Sequence, residues 1–350
     1  VTNSTSASDL TSGTLADARF PSALPAISGA NLTGIETVTK SATAPSSPAQ
    51  GDMWFDTTAG VTAMKVYSGN AWDQMSNKFS ATGGTESTYS SGGVNYKVHT
   101  FTSSGTFNVE GAGTVDYLVV AGGGGGRSGG GGAGGYLTAV GQPVTAATHT
   151  ITVGAGGAGN QVNSGSNSVF SSYATAIGGG GGATTGNNGG GTWMNGGSGG
   201  GQPRDGIGKT NVGPGTGTSG QGYAGGVAGG PTCSSAGGGG GAAEVGFAGK
   251  TDCGASRTGQ ASEGGDGLSS SITGSVVYRA GGGGGCYETS VSADMPVPGG
   301  NGGGGSGWDS HMAGSDGSTA GTTNTGGGGV GYNLGGNSGG SCIVFIRFEV

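Results

Sequence analysis

Charge is scarce in this sequence: only 9% of its 350 residues are Asp, Glu, Lys or Arg, against about 25% in ordinary domains. The 12 Lys and Arg are scattered singly and the formal net charge is −7. No basic patch exists to neutralise nucleic-acid phosphates, so no nucleic-acid partner is expected. No apolar run approaches the roughly 20 residues that cross a bilayer, so no membrane insertion is expected either. No signal-peptide pattern is visible. The chain begins at Val1 and its first methionine is Met53, as expected of a processed chain or the C-terminal part of a longer one. The 10 prolines and the lack of a G-X-Y period exclude collagen.

Cysteine and acid are also few. Cys233, Cys253, Cys286 and Cys342 contain no C-x-x-C-type spacing, which argues against zinc. They read either as buried thiols or as one structural disulfide joining Cys233 to Cys253. A paired-carboxylate site would have to draw on Glu288, Asp294, Asp309 and Asp316, which read as solvated loop acids. His311 has Asp309 two residues before it, but no G-x-S-x-G elbow accompanies the pair. His99 and His149 fall in strand patterns and read as structural. No catalytic residue, metal site or cofactor is expected, and the chain reads as a non-enzyme.

Glycine, by contrast, supplies 92 residues. "AGGGGG" occurs at 121–126, 236–241 and 280–285, and "IGGGGG" at 177–182. Gly124, Gly126 and Gly129 match G-x-G-x-x-G after an apolar run, but no helix former follows and no acid occurs between Asp116 and Asp205, so a dinucleotide site is not expected. "PRDGIGKT" (203–210) and "EVGFAGKT" (244–251) end like phosphate-binding loops but lack the first glycine. Each ordered glycine costs about 0.5–1 kcal/mol relative to alanine, so something specific must offset 92 of them. Extended polyproline-II-like rods, three residues per turn and hydrogen-bonded to neighbouring rods, would do so, because no side chain keeps the backbones apart.

Three regions follow from composition. Residues 1–40, rich in Ser, Thr and Ala, read as a stalk that associates with copies of itself. Residues 41–78 read as a small β-meander anchored by Trp54, Phe55, Met64, Val66, Tyr67 and Trp72. Residues 79–350 read as a glycine-rich head framed by strands. The apolar stretches 117–120 and 343–346 read as buried on both faces, and the terminal strand is expected to close the sheet begun near 94–121. Non-glycine residues gather between the glycine blocks, in 183–197, 202–214, 242–263, 286–298 and 308–325, which read as loops displayed by a rigid scaffold. The fold class is all-β with little α-helix: a stalk, a small meander, then a glycine-rich β-sandwich with or without packed polyglycine-II helices.

Three stretches carry a family resemblance. "ALPAISGANLTGI" (23–35) resembles bacteriophage tail-fibre stalks. "PSSPAQGDMWFDTTAGVTAMKVYSGNAWDQM" (45–75) is similar to a β module of such fibres, and "TFTSSGTFNVEGAGTVDYLVVAGGGGG" (100–126) with "GGSCIVFIRF" (339–348) resembles the two ends of their glycine-rich domain. The resemblance implies a virion tail-fibre protein, a receptor-binding adhesin and homotrimer. It implies other tail proteins at the N-terminus and a host-surface glycan or outer-membrane protein as target. The candidate receptor-binding residues are Trp193, Arg204, Tyr223, Tyr287, Trp308 and His311. The alternative is a purely structural virion fibre or decoration protein, or an extracellular glycine-rich fibril subunit.

Overall fold

The computed structural model describes residues 38–59, 63–75, 79–159, 163–184, 191–204, 213–230, 235–250, 262–286, 296–308, 317–332 and 336–350. The stalk expected over 1–40 lies almost wholly outside them. The chain divides into two compact units, 1–77 and 78–350.

The first unit is a four-stranded sheet of β1 (Thr39–Ser41), β2 (Met53–Asp56), β3 (Ala63–Tyr67) and β4 (Trp72–Gln74), in that order. β2 to β4 form the expected meander, and β1 joins β2 in parallel. Of the six anchors read from the sequence only Trp54 is fully buried, as suits a sheet too small to enclose a core. Its indole N–H donates to the Ser41 carbonyl (2.9 Å), and its ring meets Trp72 edge-on at 5.5 Å. The Asp56 carboxylate accepts from Lys65 (2.8 Å) and from the Thr58 hydroxyl and amide, and these bonds hold its pKa down at about 2.

The second unit begins with two five-stranded sheets. One runs β10 (Tyr136–Val144), β9 (Gly113–Val120), β18 (Ile343–Glu349), β7 (Val94–Phe101), β6 (Thr85–Ser91). The other runs β13 (Ala174–Ala176), β12 (Ser168–Phe170), β11 (Thr148–Thr152), β8 (Gly105–Glu110), β5 (Ser80–Thr82). The terminal strand β18 lies between β9 and β7, antiparallel to both. Alternation then explains the apolar runs. Val115, Tyr117, Val119, Val344 and Ile346 face Phe107, Ile151 and Phe170 of the opposite sheet. Leu118, Val120, Ile343 and Phe345 face the other way, against Ala133, Ala242, Ile272 and Ala280. The hairpin β14 (Leu268–Ser270) and β15 (Val277–Arg279) contributes Ile272 to that cover.

The glycine blocks leave the ends of this sandwich as rods. Along 121–127 successive amides turn to three different neighbours: Gly122 to Ser166 (3.1 Å), Gly123 to Gly340 (3.1 Å) and Gly124 to Gly132 (2.8 Å). Gly125 then returns to the first neighbour at Asn163, and Gly126 to the second at Asn337, both at 2.9 Å. A direction that repeats every third residue is the signature of a three-residue turn without internal bonds. The carbonyls of Gly122, Gly123 and Gly124 accept from Gly179, Gly157 and Gly329, which adds three more neighbours. Rods 236–242 and 280–286 each bond to six surrounding segments in the same way. The packed polyglycine helices therefore stand beside the sandwich rather than replacing it.

Six neighbours explain the unbroken runs. A collagen chain turns one residue in three towards a crowded axis, whereas every face of these rods meets another backbone. A Cβ on Gly123, Gly124 or Gly125 would overlap the carbonyl of Gly327, Gly180 or Ala158 respectively. One further glycine pair has a separate role. Gly83 and Gly84, at φ +125° and +63°, turn β5 into β6, and the Gly83 carbonyl bonds Nδ1 of His99 at 2.7 Å. His99 is fully buried, stacked on Phe348 and edge-on to Phe107, and its Nε2 has no partner among the described residues.

Two outcomes are expected. Gly239→Ala, whose Cβ would meet the Gly131 carbonyl, should lower stability in a denaturant melt by about 1–3 kcal/mol or more. Gly213→Ala, in open space at ordinary φ, should stay within about 0.5 kcal/mol. Burial lowers the His99 pKa below its usual 6.5, so the unfolded chain binds that proton more readily. Stability should fall as pH drops below 6.5 towards the folded-state value, and be fully present above it. His99→Phe should flatten that part of the profile, read as denaturant midpoints across the window.

Candidate functional site at the far end of the glycine lattice

The rods have a near end, at the sandwich, and a far end. At the near end Ala121 bonds Gly135, Gly135 bonds Ile177, and Ala242 bonds Ala280, each adjoining a strand or the β14–β15 hairpin. At the far end serines replace glycine as partners, because a rod that stops leaves its neighbour's amides without a backbone acceptor. Ser128 is the clearest case and is buried. Its amide donates to the Ala183 carbonyl (2.9 Å), its carbonyl accepts from Cys286 (2.9 Å), and its hydroxyl accepts from the Arg204 amide (3.3 Å). Beside it the Tyr332 amide bonds the Arg127 carbonyl. Ser235 does the same for a second group. Its hydroxyl accepts from the Lys250 amide (2.6 Å) and meets the Ser262 hydroxyl at 3.4 Å, while its carbonyl accepts from Gly229. Ser338 accepts from Gly159 at 3.1 Å.

Within 79–350, residues 160–162, 185–190, 205–212, 231–234, 251–261, 287–295, 309–316 and 333–335 lie outside the described residues. Described rods end at this same face: Gly159, Ala183, Arg204, Gly230, Lys250, Cys286 and Tyr332 all belong to it through the bonds above and through Gly230 to Lys250. The short pair β16 (Pro296–Val297) and β17 (Gly307–Trp308) ends there too, beyond the Gly284-to-Gly305 bond.

The six candidate residues separate. Arg204 lies at the far end, held by its amide to Ser128. Trp193 sits in a 3-10 turn, Thr192–Met194, and is 42% exposed. Its carbonyl accepts from Gly181 and from the Ser164 hydroxyl (2.7 Å), which places it one rod-step below Ala183. Trp308 occupies β17. Tyr223 is exposed but begins its rod at the near end, bonded to Gly241 and Gly199. Six residues separate it from Gly229, about 19 Å of rod, so it belongs to the lattice flank and not to the far face. Tyr287 and His311 lie outside the described residues, as do Cys233 and Cys253, Glu288, Asp294, Asp309 and Asp316. Cys286 and Cys342 are buried, and burial pushes the Cys342 thiol up to about 11.

The G-x-G-x-x-G stretch has no open amides to offer, and residues 205–210 of the pattern 203–210 lie outside the described residues. The amides of Gly122 to Gly126 are all bonded to other rods, so none is left to hold a phosphate. Lys250 is buried at a rod end. Among the described residues no group of three or more His, Cys, Asp or Glu is placed to hold a metal.

Sequence reasoning missed a cleft of about 490 Å³ on the sandwich, lined by Phe79, Tyr96, Asp116, Val140, Arg347 and Phe348. Its floor is a bond from Arg347 Nε to Asp116 (2.9 Å), with the guanidinium stacked over Tyr96 at 4.7 Å. The partners are 231 residues apart, and no local pattern links them. Sequence reasoning also missed the serines at the rod ends, whose signal is there in retrospect: Ser128, Ser235 and Ser262 each stand at the edge of a glycine-rich stretch.

No curated protein matches the chain, and no solved structure does. A family model described as a glycine-rich domain matches residues 100–349, from the end of β7 to the end of β18, and the chain belongs to that family.

Proposed function

We propose that this chain is a surface-recognition protein, the receptor-binding part of a bacteriophage tail fibre, without enzymatic activity. The observation that carries the reading is the grouping of the rod ends. A scaffold whose interior is backbone alone has no side chains with which to recognise anything, and the described rod ends Gly159, Ala183, Arg204, Gly230, Lys250, Cys286 and Tyr332 share one face. In sequence, the residues that follow the described rods, 185–190, 205–212, 251–261, 287–295 and 309–316, contain Tyr287, His311 and many of the charges of this half. Recognition residues carried on connections between rigid elements are a common arrangement. The resemblance of residues 23–35, 45–75 and 100–126 to tail-fibre segments supplies the biological setting. Aromatic side chains such as Trp193 suit a sugar, whose apolar face stacks on a ring. A host-surface glycan or outer-membrane protein is the target class, with a homotrimeric fibre anchored through residues 1–40.

The purified chain should adhere to bacteria sensitive to a phage that carries it, and should block adsorption of that phage when added first. Trp193→Ala and Arg204→Ala should weaken adhesion and leave the thermal melt unchanged. A chain that neither adheres nor competes overturns the reading. Free exchange of the segments flanked by the rod ends, with no change of host range, would favour a purely structural fibre.

A further inference from the structure

The outer face of the first sheet is covered where Ala242, Ile272 and Ala280 pack on Leu118, Val120 and Phe345. Two residues further from the rods stand Asp116 on β9 and Arg347 on β18. They share that face by strand alternation and are paired in register. Here a groove opens. The cleft of about 490 Å³ that reaches Phe79 and Tyr96 is one part of it. A second part, about 320 Å³, runs on to Ser269, Ser271, Ile272 and Val276 of the β14–β15 hairpin. Asp116, Val140 and Arg347 line both parts.

The floor of the groove is preorganised. Oδ2 of Asp116 accepts from Nε (2.9 Å) and Nη2 (2.8 Å) of Arg347, and Oδ1 accepts from the Gly141 amide (2.9 Å). Nη1 of Arg347 donates to the Tyr89 hydroxyl, and the guanidinium lies over Tyr96, which stacks on Tyr89 at 5.2 Å. A guanidinium carries five N–H groups and a carboxylate about four acceptor positions. These bonds engage three of each, so both groups keep capacity towards the groove they line.

The walls are apolar. The pairing of β10 with β9 shifts between Ala139 and Gln142, with Gly141 at φ +67°. Such a bulge re-aims a side chain. This one turns the Gly141 amide onto Asp116 and leaves Val140 82% exposed. Val140 and Val276, at 82% and 68%, are the two most exposed large apolar side chains among the described residues, and both line the groove. A single exposed valine is ordinary, but grouped apolar side chains rimmed by polar ones mark a binding surface.

We propose that this groove binds a short neutral oligosaccharide, with neighbouring hydroxyls on Asp116 and Arg347 and the apolar sugar faces on Val140, Val276 and Phe79. A hydroxyl both donates and accepts. Two adjacent hydroxyls therefore match a floor that sets a carboxylate acceptor beside guanidinium donors. The charges of that floor cancel within it, so neither an anion nor a cation is drawn to it. Glu349, exposed at the rim, turns acidic sugars away. Each part of the groove falls in the range of about 300–1,000 Å³ usual for ligand sites, and two joined parts suit more than one ring. The groove lies on the sandwich, at the end of β9 away from the rods, and uses none of the residues assigned to adhesion. The adhesion reading holds or fails separately.

Amide NMR of the full chain, titrated with di- and trisaccharides of glucose, galactose, mannose and N-acetylglucosamine at millimolar concentration, tests the proposal. At least one should shift the Val140 and Gly141 amides saturably, and sialic acid should not. Asp116→Asn, which keeps the shape and removes the charge, should weaken that sugar about tenfold or more. Val140→Asp, at a side chain too exposed to support the fold, should weaken it too and leave the thermal melt unchanged. It serves if Asp116→Asn fails to fold. No saturable shift with any of these sugars overturns the proposal, and so does binding that neither variant weakens. The same amides shifting when the chain alone is concentrated would put a second copy in the groove and overturn it as well.

Discussion

A polyglycine rod makes no hydrogen bond to itself, and the architecture of the larger unit follows from that. An α-helix satisfies its own amides, and a strand satisfies half of them with each neighbour. Rods such as 121–127 satisfy none alone, and so have no stability outside a bundle. Bundling requires backbones close enough for N–H to reach C=O in up to six directions, which excludes a Cβ on nearly every residue. The sandwich supplies what such a bundle lacks. Its core of Phe107, Ile151, Phe170, Val119 and Ile346 is ordinary hydrophobic burial, and rods start directly from the ends of its strands β9, β11 and β13.

The same constraint divides the labour among residue types. Inside the lattice side chains are eliminated, so specificity of packing rests on backbone alone. At the far end serine hydroxyls take the place of missing carbonyls, as at Ser128 and Ser235. On the flanks the outward residue is free to vary, and it does: hydroxyl-bearing along 317–323, apolar along 222–230 and 243–250.

Much of this was legible in the sequence, and for identifiable reasons. The apolar stretches 117–120 and 343–346 announced central strands, because only a strand covered on both faces loses its alternation. The all-β class, the meander after Gly51 and the docking of β18 beside β9 followed from local pattern. The glycine blocks announced close backbone approach, but could not tell a lattice from a glycine-rich sandwich, since a residue without a side chain carries no periodicity to read. For the same reason Tyr223 looked like a loop residue. Its neighbours Gly222, Gly225 and Gly226 gave no hint that the chain there was already a rod. The Asp116–Arg347 contact was invisible because sheet order, not sequence proximity, creates it.

The place of β18 bears on how the molecule is made. The strand that fills the gap between β9 and β7 is drawn from residues 343–349, after every rod has been synthesised. Until Ile343 to Phe348 emerge, the first sheet is split and Leu118 and Val119 pair only with β10. A ribosome that stalls within the glycine tracts, or a protease that clips them early, leaves a chain that cannot complete its sandwich. Topology thus acts as a proofreader: only a chain carried through to Ile343–Glu349 can close the sheet between β9 and β7.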